Sequence, residues 1–249
     1  MGIVQSNLVL YLEAALANGG VGPGLNSPLT TTFKDLSGSN KNGMLNGFAG
    51  TTSSGYAGTG TLVDPYRVAH DGSNDYISVG VLPITNALTV ELWASFPTLP
   101  LASPYAFPRY VWGTSDYFSL YGDKSGALLK VKCPSSSDDV RASCAQSYIG
   151  GSGPHHIVYT HGGGSLSLVI DGVSVSSATC ANATLTCGSL PWSTSDSSLQ
   201  YPSDIQVVAL RIYNRVLSPS EIAQNRATGY VLAPRSGGRF PLLSRGMRT

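Results

Sequence analysis

Apolar and polar residues alternate strictly in ALTVELWASF, residues 87–96. Leu88, Val90, Leu92, Ala94 and Phe96 fall on one side of an extended chain, and Thr89, Glu91, Trp93 and Ser95 on the other, because successive side chains of a strand point to opposite faces. One face is expected to pack inward and the other to stay half-wet, with Trp93 partly buried. Similar runs recur as NLVLYLEA, YISVGVL, YFSLYG, ALLKVKC, HHIVYTH, SLSLVIDGVSVSS and DIQVVALRIYNR. Clusters of Gly, Pro, Asn and Ser separate them, which points to an antiparallel all-β sandwich rather than an α/β fold. In SLSLVIDGVSVSS, Asp171-Gly172 is a dipeptide favoured in two-residue type I′ turns, so its flanks are expected to form a hairpin.

A different pattern stands near the C-terminal end. In VLSPSEIAQNRATGY, Ser218 can cap, Pro219 takes the first helical position, Glu221 follows the cap by three residues and Gly229 closes the last turn. Leu217 and Ile222 are spaced as a hydrophobic staple, so a short helix is predicted over 219–228. Beyond it, YVLAPRSGGRFPLLSRGMRT carries Arg235, Arg239, Arg245 and Arg248 with no acid to balance them. The expected organisation is one domain over 1–230 and an extended basic arm over 231–249. Arg235, Arg239, Phe240, Leu242, Leu243 and Arg245 would make that arm's assembly contacts.

A chain of 249 residues is long enough for a full core, and all-β folds of this length are commonly one domain. Only 12% of its residues are charged, against about 25% in ordinary soluble domains, so a neutral, polar surface is expected. A net charge of +1 supplies no field to gather nucleic acid or an acidic membrane. The opening MGIVQSNLVLYLEAALANGG lacks the pattern of a secretory signal, and no apolar run reaches the length needed to cross a bilayer. MGIVQS fits the N-myristoylation pattern, a loose one that chance also produces.

Four cysteines fall as two close pairs, Cys133 with Cys144 and Cys180 with Cys187. Two local disulfides are the most economical of three connectivities. Free thiols are the first alternative; zinc is the other, but no C-x-x-C spacing supports it.

Five segments taken together resemble the laminin-G-like jelly roll of the concanavalin A-like lectin/glucanase superfamily. They are FKDLSGSNKNGMLNG (33–47), DGSNDYISV (71–79), ALTVELWASF (87–96), PHHIVYTHGGGSLSLVIDGVSV (154–175) and VVALRIYNRVLSPSEIAQN (207–225). The likeness runs over residues 7–228. It implies a concanavalin A-like jelly-roll sandwich of two antiparallel sheets, one short C-terminal helix and an extended tail. It also implies loops at one rim where some members hold calcium and bind sugars. Other members are parts of phage virions or adhesion modules, and fold alone does not choose between these. Two stretches depart from the pattern: the long Pro/Ser-rich region 97–153, and the basic tail after Gly229.

Glucanases of this superfamily carry paired carboxylates about 5 Å apart across the scissile bond, but no E-x-D-x-E-like run occurs here. Glu91 is alone on its strand, with Glu13 and Glu221 near the ends of the domain, so no enzymatic activity is expected. His155, His156 and His161 crowd the segment that the resemblance makes an interior strand, which favours structural histidines over a metal or a general base; His70 is given no function. Asp71, Asn74, Asp75 and Asp35 lie in oxygen-rich loops that suit calcium, or equally ordinary Asx turns. Tyr105, Tyr110, Trp112, Tyr117 and Trp192 lie in loop-like surroundings that suit sugar stacking or a protein interface. Asn182-Ala183-Thr184 is an N-glycosylation acceptor sequence that chance explains without an export route.

The leading expectation is a non-enzymatic virion structural protein. It would be a bacteriophage capsid decoration or minor structural protein on the particle exterior, with other virion proteins or copies of itself as partners. It resolves a conflict between a disulfide-compatible, lectin-like domain and the absence of an export signal. The alternative is a carbohydrate-binding or adhesion module that meets a surface glycan. No cofactor is required by either, calcium apart, and neither meets nucleic acid or membrane.

Overall fold

The alternation at residues 88–95 becomes the centre of an eight-stranded antiparallel sheet. The computed structural model describes residues 2–16, 32–71, 73–84, 87–97, 110–112, 116–123, 128–132, 141–151, 153–179, 190–192 and 204–230. Residues 110–112, 116–123, 128–132, 141 and 190–192 are described by their backbone alone. In chain order the first strands are β1 (Leu8–Glu13), β2 (Thr32–Phe33), β3 (Gly43–Asn46), β4 (Gly55–Ala57), β5 (Arg67–Asp71), β6 (Tyr76–Val79) and β7 (Leu88–Ser95). Then come β8 (Tyr110–Trp112), β9 (Asp116–Asp123), β10 (Leu128–Lys132), β11 (Arg141–Ala145) and β12 (His155–Gly162). The last are β13 (Ser165–Ile170), β14 (Val173–Thr179), β15 (Leu190–Trp192), β16 (Asp204–Tyr213) and the helix α1 (Pro219–Thr228).

The main sheet runs β14-β13-β12-β7-β16-β5-β4, and β1 pairs with β16 beyond the end of β5. The remaining strands form two four-stranded groups, β15-β6-β3-β2 and β11-β10-β9-β8. The second layer of the expected sandwich is therefore divided in two. Its buried residues, among them Phe33, Leu45, Ile77, Val79, Ala142 and Cys144, join Leu10, Leu12, Leu88, Val90, Leu92, Ile157, Tyr159, Leu210 and Ile212 of the main sheet in one core.

Strand β16 meets this core with both halves of an imperfect alternation. Ile205 and Val207 face it, and after a register shift between Val207 and Ala209 so do Leu210 and Ile212. The shift is a β-bulge: one extra residue reverses the parity of everything that follows. Arg211 consequently leaves the core side and joins Glu91, directly across on β7.

The expected hairpin and helix are both present. Asp171 and Gly172 have φ of 51° and 82°, the two positive values a type I′ turn requires. At α1 the Ser218 side chain accepts from the Glu221 amide while the Glu221 carboxylate accepts from the Ser218 amide, a complete capping box. Leu217 and Ile222 pack in a second apolar cluster with Val4, Leu8, Val158 and Tyr213. The Arg215 guanidinium hydrogen-bonds the Glu221 carboxylate at 2.6 and 2.8 Å and, with the Ser218 amide, holds it down at about 2. The ionised form therefore stabilises the native state above the ordinary carboxylate range, and that contribution fades as pH falls toward about 2.

One expectation is corrected. The second face of β7 is not half-wet: Thr89 and Glu91 are as buried as the core residues, while Trp93 and Ser95 are only half-buried. The cause is α1, which lies over this face with the N-terminal residues and gives the main sheet a second packed side. Among the described residues no helix is long and apolar enough to cross a membrane.

Candidate functional site

Directly opposed residues of antiparallel strands share a face. The registers line up Tyr11, Arg211, Glu91 and Val158 in one row beneath α1, and Glu13, Ala209, Trp93 and His156 in the next. This brings Glu13 and Glu91, 78 positions apart, to the same guanidinium. Arg211 Nη1 lies 3.3 Å from Glu91 Oε1 and Nη2 lies 3.9 Å from Glu13 Oε2. Nη2 also donates to the Gly229 carbonyl at 2.6 Å, and the guanidinium sits 5.0 Å from the centroid of the Tyr11 ring.

Further groups hold the same two carboxylates. Tyr11 donates its hydroxyl to Glu13 Oε2. His156 Nε2 stands 2.7 Å from Glu91 Oε1, and Asn225 Nδ2 donates to Glu91 Oε2 at 2.7 Å. Glu13, Glu91, His156, Arg211 and Asn225 are at most 1% exposed. For Arg211, burial opposes the charge but the carboxylates and Tyr11 outweigh it and push its pKa up. Burial, with Glu13 beside it, also pushes the Tyr11 hydroxyl well above its usual range. Two acids converge, then, but on an arginine and in a buried position. Glu91 was legible only as an isolated acid, and its pairing with Glu13 is a product of the β1–β16–β7 register.

The histidines follow the structural expectation. His156 and His161 are fully buried on β12, an interior strand. His155 Nδ1 pairs with Asp171 Oδ2 at 2.7 Å at the hairpin turn. His70 is also fully buried, its ring edge-to-face with Phe48 at 5.0 Å, and burial lowers its pKa to about 4.

The oxygen-rich loops carry the geometry of Asx turns. Asp71 Oδ1 accepts from the Ser73 amide, and Asp75 accepts from the Asp71 amide and the Ser54 hydroxyl. Desolvation raises the pKa of Asp75, although both these bonds oppose it. Asp35 takes the Tyr11, Ser37 and Lys41 amides and the Ser37 hydroxyl, all at 2.9 to 3.0 Å. Among the described residues no three His, Cys, Asp or Glu side chains are grouped to hold a metal.

Of the aromatic candidates, Tyr105 lies outside the described residues. Tyr110 stands opposite Phe118, Trp112 opposite Asp116 and Tyr117 opposite Val111, so Tyr110 and Trp112 share one face of the β8–β9 hairpin and Tyr117 takes the other. Trp192 is paired with Ile77, a fully buried position, and β15 approaches β8. The expected disulfide at Cys144 is not formed: Cys144 is a buried free thiol whose pKa burial raises to about 11, and Leu129 is its cross-strand neighbour. Cys133, Cys180 and Cys187 lie outside the described residues, as do the arm residues Arg235, Arg239, Phe240, Leu242, Leu243 and Arg245.

A cleft of about 400 Å³ opens beside the buried cluster, lined by Trp93, Gly172, Ala223, Arg226 and Ala227. It was not anticipated: Trp93 read as a partly buried strand residue, and the cleft exists because α1 returns over β7.

The fold has solved counterparts. Domain 4 of AbnA, a GH43 extracellular arabinanase from Geobacillus stearothermophilus solved with arabinotriose, superposes with a TM-score of 0.62 at 17% identity, over 88% of this chain and 98% of that one. The binding domain of botulinum neurotoxin DC in complex with SialylT gives 0.56 at 13% identity, over 91% of this chain and 52% of that one. Trypanosoma rangeli sialidase with the inhibitor DANA gives 0.57 at 13%, over 86% of this chain and 32% of that one. The chain thus spans nearly all of the arabinanase domain, about half of the toxin domain and a third of the sialidase. At these identities the likeness is one of fold. No curated protein matches the sequence. A laminin-G family model matches residues 71–223, more than half of the chain, and the protein belongs to the concanavalin A-like lectin/glucanases superfamily.

Proposed function

We propose that this chain is a non-catalytic carbohydrate-recognition module. The observation that carries the reading is the state of Glu13 and Glu91. Among the described residues these two glutamates converge on Arg211 and are buried with it, where they hold the fold and do not face a glycosidic bond. General acid–base hydrolysis needs two carboxylates facing the substrate from either side. The jelly-roll fold supports recognition, since it is shared with an arabinanase domain solved with arabinotriose and with a toxin's binding domain. Tyr110, Trp112, Tyr117 and Trp192 supply aromatic residues on strands that approach one another, and aromatic rings offer a broad apolar surface with a polar handle.

Binding to a panel of neutral and acidic oligosaccharides, followed by calorimetry, tests this. Saturable binding of at least one glycan is expected. EDTA is expected to leave it unchanged, because the carboxylates of Asp71 and Asp75 already serve backbone and hydroxyl donors. Absence of binding across the panel would reject the reading, and loss in EDTA with rescue by calcium would assign Asp71, Asn74 and Asp75 to a metal.

A second reading, a virion surface protein with a body over 1–230 and an assembly arm over 231–249, is favoured by the four arginines at 235, 239, 245 and 248 without a nearby acid. Light scattering of the full chain and of one ending at Tyr230 tests it. Assembly of the full chain alone is the expected sign; two monomers would remove self-assembly through the arm.

A further inference from the structure

The cleft beside Trp93 falls within the roughly 300–1,000 Å³ of small-molecule sites. Its walls come from three places. Trp93 rises from β7, Gly172 closes the β13–β14 turn, and Ala223, Arg226 and Ala227 recur along one side of α1 at the spacing of neighbours on a helix face. Ile222 and Asn225 are the helix residues buried against the sheet. The small residues keep the cleft open. A Cβ at Gly172 would come within 2.9 Å of Arg226 Nη1, so the guanidinium lies over the turn.

Charge and rigidity set what fits. Arg226 is exposed, and among the described residues it makes no hydrogen bond or ion pair. Asp171, the acid next to Gly172 at the turn, is already engaged by His155 Nδ1 at 2.7 Å and the His156 amide at 2.9 Å. Trp93 is fixed by His156, stacked at 4.6 Å, and by Tyr230, edge-on at 5.2 Å. A preorganised indole beside the exposed Arg226 guanidinium offers an apolar wall and a planar fork that matches a carboxylate.

We infer that this cleft binds a carboxylate-bearing sugar, with Arg226 pairing the carboxylate and Trp93 contacting the ring; the inference rests on the carbohydrate-recognition reading and gives that reading a location. The test is calorimetry of the full chain at low salt with N-acetylneuraminic acid and glucuronic acid, with glucose and galactose as neutral controls. The acidic sugars are expected to bind more tightly than the neutral ones. Arg226→Gln is expected to weaken them about tenfold, the worth of one charge-assisted contact, and to leave the neutral sugars unchanged. Ala227→Phe, at an exposed position, is expected to abolish binding by filling the cleft without lowering the melting temperature. Acidic-sugar binding that survives both substitutions would overturn the cleft and leave the broader reading standing. Failure of the wild-type chain to bind either acidic sugar, with an oligosaccharide still bound elsewhere, would also overturn the cleft alone. Failure to bind any glycan would remove both.

Discussion

Arg211→Met is expected to destabilise the protein by about 3–5 kcal/mol, the cost of leaving buried charge without its partner. Arg211 is 1% exposed and stands between two carboxylates, Glu13 and Glu91, that are equally buried. Its removal also frees the Gly229 carbonyl at the end of α1. Methionine fills much of the space, so the effect isolates charge more than volume. Urea unfolding of the variant reads it, and a combined Glu13→Gln, Glu91→Gln, Arg211→Met protein supplies the control. Replacing a whole buried ionic group is often near-neutral, whereas breaking one is not. The triple variant is therefore expected to recover most of the loss. If it is no more stable than Arg211→Met alone, uncompensated charge is not the cause.

Asn225→Ala is expected to cost about 2–4 kcal/mol, because it strands buried polar partners as well as losing bonds. Asn225 Oδ1 accepts from the Val4 amide at 2.8 Å, while Nδ2 donates to Glu91 Oε2 at 2.7 Å and to the Tyr213 hydroxyl at 2.9 Å. One fully buried side chain thus joins the helix, the N-terminal segment, β7 and β16. Hydrogen exchange gives a local readout: the Val4 amide and α1 are expected to lose protection ahead of β12 and β13. Uniform loss across the main sheet would contradict a tie of this kind.

The jelly-roll fold was legible through the resemblance of five segments to its superfamily, and from the residues themselves what was legible was local. The Ser218–Glu221 capping box and the Asp171-Gly172 turn involve residues at most a few positions apart, and both form as expected. What was not legible depends on events that alternation hides. Counting in twos from Ile205 and Val207 places Arg211 on the core side, but the bulge before Ala209 puts it beside Glu91. No property of Glu13 announces that β1 will pair with the far half of β16. The helix was expected, but its resting place was not. Its return over β7 buries Thr89 and Glu91 and creates the cleft at Trp93. Residues that look like isolated acids in the sequence become one clamp only after these long-range pairings are made.

The account turns on recognition without hydrolysis, and the direct measurement is release of new reducing ends from a glycan that the full chain has been shown to bind. The expected result is saturable binding with no cleavage above the uncatalysed background over prolonged incubation. Cleavage that Glu91→Gln or Glu13→Gln abolishes in a folded protein that still binds would contradict the account, and would require the buried carboxylates to open to substrate.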